Sequence, residues 1–270
     1  MSDFLEIVRG DSPLILSMPH GGRELAPDIA ARLNERGLAM ADTDWWIERL
    51  YNFHTALDAN VVRTKISRYV IDVNRDPSGA SLYPGQATTG LCPTQTFDGE
   101  PIYFDGEEPS ETEIAERAEH FFAPYHDSLE DAIASTRERH GYALLYDCHS
   151  IRSVVPRLFD GELPVFNIGT NNGLSCAPEL AQIVTEACAG ADGLTHIVNG
   201  RFKGGWITRR YGDPANNVHA VQMEMAQWAY MEEAPPWTYN EERAATARDA
   251  LKRALTGMIG WAADNLGGNQ

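Results

Sequence analysis

The chain has 270 residues, 43% of them hydrophobic, enough to bury the core of one large α/β domain, and its 22 basic and 39 acidic residues leave a formal charge of −17. So acidic a chain is not built to hold nucleic-acid phosphates or an anionic bilayer, and any small anionic ligand has to be met by local arginines. Four cysteines without CxxC spacing exclude a disulfide framework and a Cys-rich zinc module, and the amino terminus shows neither a positively charged leader nor a membrane-spanning apolar run, so a cytoplasmic protein is expected.

In chain order, the apolar run Pro13–Met18 predicts a strand, and apolar residues three and four apart predict helices at Pro27–Arg36 and Asp44–Leu57. A strand is expected at Asn60–Ile66, followed by an irregular stretch from Asp72 to Gly106 rich in Gly, Pro, Asn, Asp and Thr. Structureless loops of that length in compact domains tend to be functional, so this one is expected to wall a binding site. Ser110 and Glu113 have capping-box spacing at the start of a predicted helix Glu111–Arg139, which Pro124 should kink or divide. Strands then follow at Tyr142–Tyr146, Val165–Ile168, His196–Val198 and Val218–Met223, with helices at Pro178–Ala189 and Glu241–Asn265. The alternation predicts an α/β fold, a single domain over residues 1–270 with a mixed, mostly parallel sheet flanked by helices on both faces.

There is no P-loop, no GxGxxG opening a helix, no HExxH and no GxSxG elbow, which leaves nucleotide binding and serine-hydrolase chemistry without support. What remains is a set of His and carboxylate positions at the carboxyl ends of predicted strands, where open α/β sheets place their ligands. His20 lies in Ser17-Met18-Pro19-His20-Gly21-Gly22 and His149 in Asp147-Cys148-His149-Ser150, each directly after an apolar run. Either imidazole alone reads most simply as structural, but two in matched contexts can converge on one metal ion. A catalytic zinc takes three protein ligands and a water, and Asp42, Asp44, Glu48 and Glu24 compete for the third place, with helix capping the competing role for Asp44. Asp147 is a possible acceptor for a ligating histidine.

Glu224 ends the apolar run Val218–Met223; a carboxylate in such surroundings acquires a raised pKa and suits a general base. Basic residues cluster at Lys65, Arg68 and Arg75, at Arg152 and Arg157, and at Arg201, Lys203, Arg209 and Arg210. Arginine's planar fork matches carboxylates, so some of these are expected to bind an anionic substrate.

Seven strings, SMPHGG (17–22), DTDWWIERLY (42–51), SRYVIDVNRDP (67–77), SLYPGQATTGLCPT (81–94), DCHSIRSVVPRLFDG (147–161), NGRFKGGWITRRYG (199–212) and VHAVQME (218–224), together resemble the N-formylglutamate amidohydrolase family over nearly the whole chain. The resemblance implies a metal-dependent hydrolase, Zn²⁺ being the expected divalent metal, that releases formate and L-glutamate from the small anion N-formyl-L-glutamate in histidine degradation. It also implies a fold similar in plan to zinc carboxypeptidases and aspartoacylases. Asp72-Val73-Asn74-Arg75 looks like the Asp-x-Asn-Arg substrate element of aspartoacylases, which makes Asn74 and Arg75 the first substrate-binding candidates, with Arg152 and Arg209 next. Where aspartoacylases place a ligating Glu three residues after the first His, this chain has Arg23. Cell-wall zinc amidases take the acid from the following helix, which here corresponds to Asp44. The expected set is thus His20, Asp44 and His149 on the metal and Glu224 as base. Hydrolysis of another N-acyl amino acid is the alternative within enzymes, and a non-catalytic binder of acidic amino acids the alternative outside them.

Overall fold

The computed structural model describes residues 4–80 and 88–267. The strands are β1 (Leu5–Val8), β2 (Leu14–Met18), β3 (Asn60–Thr64), β4 (Ala143–Ile151), β5 (Phe166–Gly169), β6 (His196–Val198) and β7 (Val218–Ala226). They form one mixed sheet in the order β1-β3-β2-β4-β7-β5-β6. The centre, β3-β2-β4-β7, is parallel, while β1 pairs antiparallel with β3 and β5 antiparallel with β7.

Alternation along the strands shows why both faces need helices. On β2, Leu14, Leu16 and Met18 enter one core and Ile15 the other; on β4, Leu144, Tyr146 and Cys148 oppose Ala143 and Leu145; on β7, Val221, Met223 and Met225 oppose Val218 and Ala220. The first core is closed by α6 (Pro178–Ala189) and α8 (Glu241–Leu266), and the second by α5 (Ala123–His140) and the short α7 (Trp206–Tyr211).

Two predicted helices are broken. Pro27–Arg36 divides into α1 (Pro27–Ala30) and α2 (Glu35–Ala39), because Asn34 turns extended and its side chain caps α2 by accepting from the N–H groups of Arg36 and Gly37. Asp44–Leu57 shortens to one turn, α3 (Ile47–Leu50), and a 3-10 segment at Asn52–Leu57. Trp46 sits at φ 61°, and Asp44 lies outside the helix with its N–H bound to the His20 carbonyl at 3.1 Å. The long helix starts as expected with α4 (Glu111–Arg117), where Ser110 Oγ accepts the Glu113 N–H. The Glu113 carboxylate, however, pairs with Arg32 and Arg117. Pro124 acts through the turn before it: Ala118–Phe122 is π-helical, widened where the proline ring collides with a normal α turn.

β1 and α7 have no counterpart among the predicted elements: β1 is a half-buried edge strand containing a glutamate, and the six residues of α7 are under two helical turns. Of the irregular 72–106 stretch, residues 81–87, the first half of SLYPGQATTGLCPT, lie outside the described residues. The remainder packs through Val73, Cys92, Ile102 and Tyr103 against the second core. No helix among the described residues is long and apolar enough to cross a membrane.

Candidate metal centre and active site

The site is assembled at the carboxyl ends of the parallel strands. After β2 the chain turns through Pro19-His20-Gly21-Gly22; a Cβ on Gly22 would lie 2.0 Å from the Ile66 carbonyl oxygen, so a side chain there would push the His20 turn off its neighbour. On β4, Asp147 and His149 share a face because they are two residues apart, and on β7 so do Gln222 and Glu224. The parallel register sets Asp147 beside Gln222 and His149 beside Glu224.

His20 and His149 converge through their Nδ1 atoms, which are 3.2 Å apart. Asp44 Oδ2 is 3.7 Å from the first and 3.3 Å from the second. All three side chains are buried. Each ring is held from behind: His20 Nε2 lies 2.7 Å from Asp72 Oδ1, and His149 Nε2 lies 3.0 Å from Asp147 Oδ2. A carboxylate at Nε2 draws the ring proton there and leaves the Nδ1 lone pair for the centre. Two imidazoles and a carboxylate around a tetrahedral ion with bonds of about 2.0–2.2 Å would have donor atoms about 3.3–3.6 Å apart, so the observed triangle fits such an ion with little adjustment.

The electrostatics agree. Burial lowers the pKa of His20, helped by the Arg68 charge. Burial also opposes charge on His149, but Asp147 and Asp44 outweigh it and raise that ring well above its ordinary value. Asp44 and Asp72 beside His20, and Asp44 and Asp147 beside His149, each favour a positive charge at the rings. Asp72 is buried, which disfavours its charge, yet Arg75, His20 and Arg68 hold its carboxyl well below the usual range.

Among the competing acids, Asp44 is the one that meets both histidines. It is fixed by the Ser150 N–H, which donates to Oδ2 at 3.1 Å. Asp42 accepts from the Tyr69 hydroxyl and the Phe97 N–H, both at 2.8 Å, and braces the long loop. Glu48 pairs with Arg23, and Glu24 is exposed.

A cleft of about 610 Å³ including its mouth opens over the triangle, and its lining includes Arg68, Asn74, Arg75, Arg201, Gln222 and Glu224. Burial pushes Glu224 up to about 8, reinforced by Asp44 and Asp147 and opposed by His149 and Arg68. The loop supplies Asn74, Arg75, Thr88, Thr89 and Phe97 to the wall. Arg75 donates to Thr89 Oγ1 at 3.0 Å.

Two arginines expected at the substrate do not line this cleft: Arg152 pairs with Asp98 at 2.7 Å, and Arg209 Nε donates to the Gly204 carbonyl at 2.8 Å. Arg68 and Arg201 do, and both belong to basic clusters visible in the sequence, though nothing there singled them out. Arg68 contacts Asp72 at 2.6 Å and lies 3.7 Å from Asp44 Oδ1. Asp72, read from sequence only as part of the Asp-x-Asn-Arg element, proves to orient His20. His219, near the start of β7, accepts the Ala177 N–H at 3.1 Å and does not line the cleft.

A sequence profile of the N-formylglutamate amidohydrolase family matches residues 12–231. Curated relatives include the N-formylglutamate deformylase of Pseudomonas putida, 48% identical over 264 residues and 98% of both chains, and that of Pseudomonas aeruginosa PAO1, 46% identical over 261 residues, 97% of this chain and 98% of the relative. Among solved structures, an N-formylglutamate amidohydrolase from Ralstonia eutropha JMP134 superposes with a TM-score of 0.78 at 24% identity, covering 94% of this chain and 96% of that one. A gene product of Agrobacterium tumefaciens gives 0.68 at 19% identity, with 97% and 95% covered. Both likenesses concern the fold.

Proposed function

The chain belongs to the N-formylglutamate amidohydrolase family and is an amidohydrolase; from that premise we propose that it hydrolyses N-formyl-L-glutamate to formate and L-glutamate at a centre formed by His20, Asp44, His149 and Glu224. The observation that carries this reading is the triangle of two Nδ1 atoms and one carboxylate oxygen beside a buried glutamate, under a cleft lined by arginines.

His20, Asp44 and His149 would hold the metal. Two imidazoles and a carboxylate suit Zn²⁺. Bound there, it would supply Lewis acidity, bringing the pKa of water from about 15.7 toward about 7 and polarising the formyl oxygen. Glu224 takes the proton of the attacking water and later hands it to the glutamate nitrogen as the C–N bond breaks; burial raises its proton affinity, which suits a group that must both accept and return a proton. Arg68, held over the Phe97 ring with its guanidinium carbon 4.7 Å from the ring centre, stands beside the ligands where it can stabilise the oxyanion.

The substrate carries two carboxylates, and besides Arg68 the cleft is lined by Arg75, whose Nε lies 3.5 Å from Asp72 Oδ2, and Arg201, whose Nε donates to the Leu158 carbonyl; these two are the guanidiniums assigned to the carboxylates. Arg75 keeps the role expected from the sequence, and Arg201 takes the one expected of Arg152 and Arg209. Asn74 is buried, with Oδ1 accepting the Ile207 N–H at 2.8 Å, so its part is to hold the centre together. The four cysteines are free and buried, in keeping with a reducing cytoplasm, where this hydrolysis would close a histidine-degradation route. The test is metal analysis of the purified protein paired with formate release from N-formyl-, N-acetyl- and N-succinyl-L-glutamate. One equivalent of zinc with strong preference for the formyl substrate is expected; full turnover after exhaustive chelation would defeat the metal centre, and preference for a larger acyl group would defeat the substrate.

A further inference from the structure

β7 turns two polar residues toward the cleft, Gln222 and Glu224, both buried, at 3% and 7% exposed. Across the parallel register they repeat the arrangement of the neighbouring strand. On β4 the ligand candidate His149 is supported from two residues behind by Asp147, 3.0 Å away. On β7, Gln222 stands two residues behind Glu224 and directly beside Asp147, and its Nε2 donates to Glu224 Oε2 across 3.4 Å.

A carboxamide can support a carboxylate only if its donor end faces it, and a freely turning glutamine has no such preference built in. Here the orientation is imposed. The Gly205 N–H donates to Gln222 Oε1 at 2.6 Å, which pins the acceptor end. Flipping the amide would set NH₂ against N–H and oxygen against carboxylate, two buried polar mismatches at once. Gly205 is placed for this by the same turn that orders Asn74: the Ile207 N–H holds Asn74 Oδ1 at 2.8 Å, and Asn74 Nδ2 donates to Asp147 Oδ2 at 3.4 Å. A Cβ on Gly205 would lie 2.5 Å from Asn74 Nδ2, so this close approach needs glycine. The string Lys203-Gly204-Gly205-Trp206-Ile207 thus orders one amide behind each of the strand-end pairs.

We propose that Gln222 is a positioning residue for Glu224: locked by the Gly205 N–H, its amide holds the glutamate carboxylate in the orientation needed for proton transfer. The inference rests on the reading of Glu224 as the base.

Two variants test it, each measured for kcat, KM, bound metal and thermal midpoint. Gln222→Met keeps the length and removes both polar ends; Gln222→Glu keeps the shape and the acceptor for Gly205, so the turn stays tied, but sets a carboxylate against Glu224. Because a hydrogen bond to a charged group is lost only from the reacting step, kcat should fall about 10–100-fold in both, with KM within about threefold and metal content unchanged. Should Gln222→Met fail to fold, Gln222→Glu decides alone. A parent-like kcat overturns the proposal, as does a raised KM with unchanged kcat, which would make Gln222 a substrate contact, or loss of metal together with activity, which would make it a prop of the ligands. Glu224→Gln is assayed alongside: if it stays active the base assignment itself fails, whereas an inactive Glu224→Gln with parent-like Gln222 variants refutes this inference only.

Discussion

His20 and His149 present Nδ1 to Nδ1 at 3.2 Å while the Nε2 of each lies against its own aspartate, Asp72 for the first and Asp147 for the second, where Asn74 Nδ2 is also 3.0 Å from the ring nitrogen. Two lone pairs would repel at that distance, so the pair is stable only with a proton or a cation between them. That relationship, closed into a triangle by Asp44, makes the ligand assignment testable one residue at a time.

Replacing Asp44 by Asn removes the anionic corner of the triangle without changing its shape. Zinc stoichiometry should drop well below that of the parent, and formate release by about 10²–10³-fold. Metal analysis by mass spectrometry checks this, and a variant that keeps full metal and full activity would return the third-ligand role to another acid.

Asp72→Asn and Asp147→Asn leave the donors in place but loosen the ring tautomers. Each should weaken metal affinity or activity by about 10–100-fold. Competition against a fluorescent chelator measures it; unchanged affinity in both would mean that the Nδ1 orientation is set by packing alone.

Glu224 must be ionised to accept a proton, and burial raises it to about 8. The sign is that activity is lost as pH falls, through a midpoint that a bound cation draws below that value. Glu224→Gln should lose about 10²–10⁴-fold in kcat and, in whatever turnover remains, the acidic limb of the pH profile. An acidic limb of the same midpoint in the variant would assign it to a different group.

His126 lies between the Val73 carbonyl and the Tyr211 hydroxyl, and burial lowers its pKa from 6.5 to about 4. The unfolded chain therefore binds more protons than the folded one between those values, so stability rises with pH across the window and is lost as pH falls through it, by roughly 2–3 kcal/mol. Urea midpoints at pH 4, 5 and 7 should show a shallower dependence in His126→Gln than in the parent; parallel curves would exclude His126 as the source.

Arg201→Leu should raise KM for N-formyl-L-glutamate by about 10–100-fold with a far smaller effect on N-formyl-L-glutamine, if its guanidinium meets the side-chain carboxylate. Equal losses on both substrates would place Arg201 at the other carboxylate or in the wall.

β2, β4 and β7 could be read from the sequence because buried central strands are continuous apolar runs, and the chemistry-bearing residues follow those runs directly. The period of two along a strand also makes the Asp147/His149 and Gln222/Glu224 pairs legible in principle. Helix periodicity misled around Asp44 for a definite reason: the His20 carbonyl and the Ser150 N–H bind its main chain and side chain, at separations of 24 and 106 residues, and override the local preference. The arginines were the least legible part. A guanidinium reaches far from its Cα, so cluster membership puts Arg68, Arg152, Arg201 and Arg209 on an equal footing, and only packing sends Arg152 to Asp98 and Arg201 into the cleft.

By itself, then, the sequence determined the α/β layering, the two strand-end histidines and a glutamate closing an apolar run, because each follows from hydrophobic periodicity acting over a few residues. The tertiary structure decided which acid completes the triangle, which nitrogen each ring offers, which arginines face the cleft, and that Gly205 ties Gln222 behind Glu224. Those choices depend on contacts between segments distant in the chain, whose geometry no local pattern encodes.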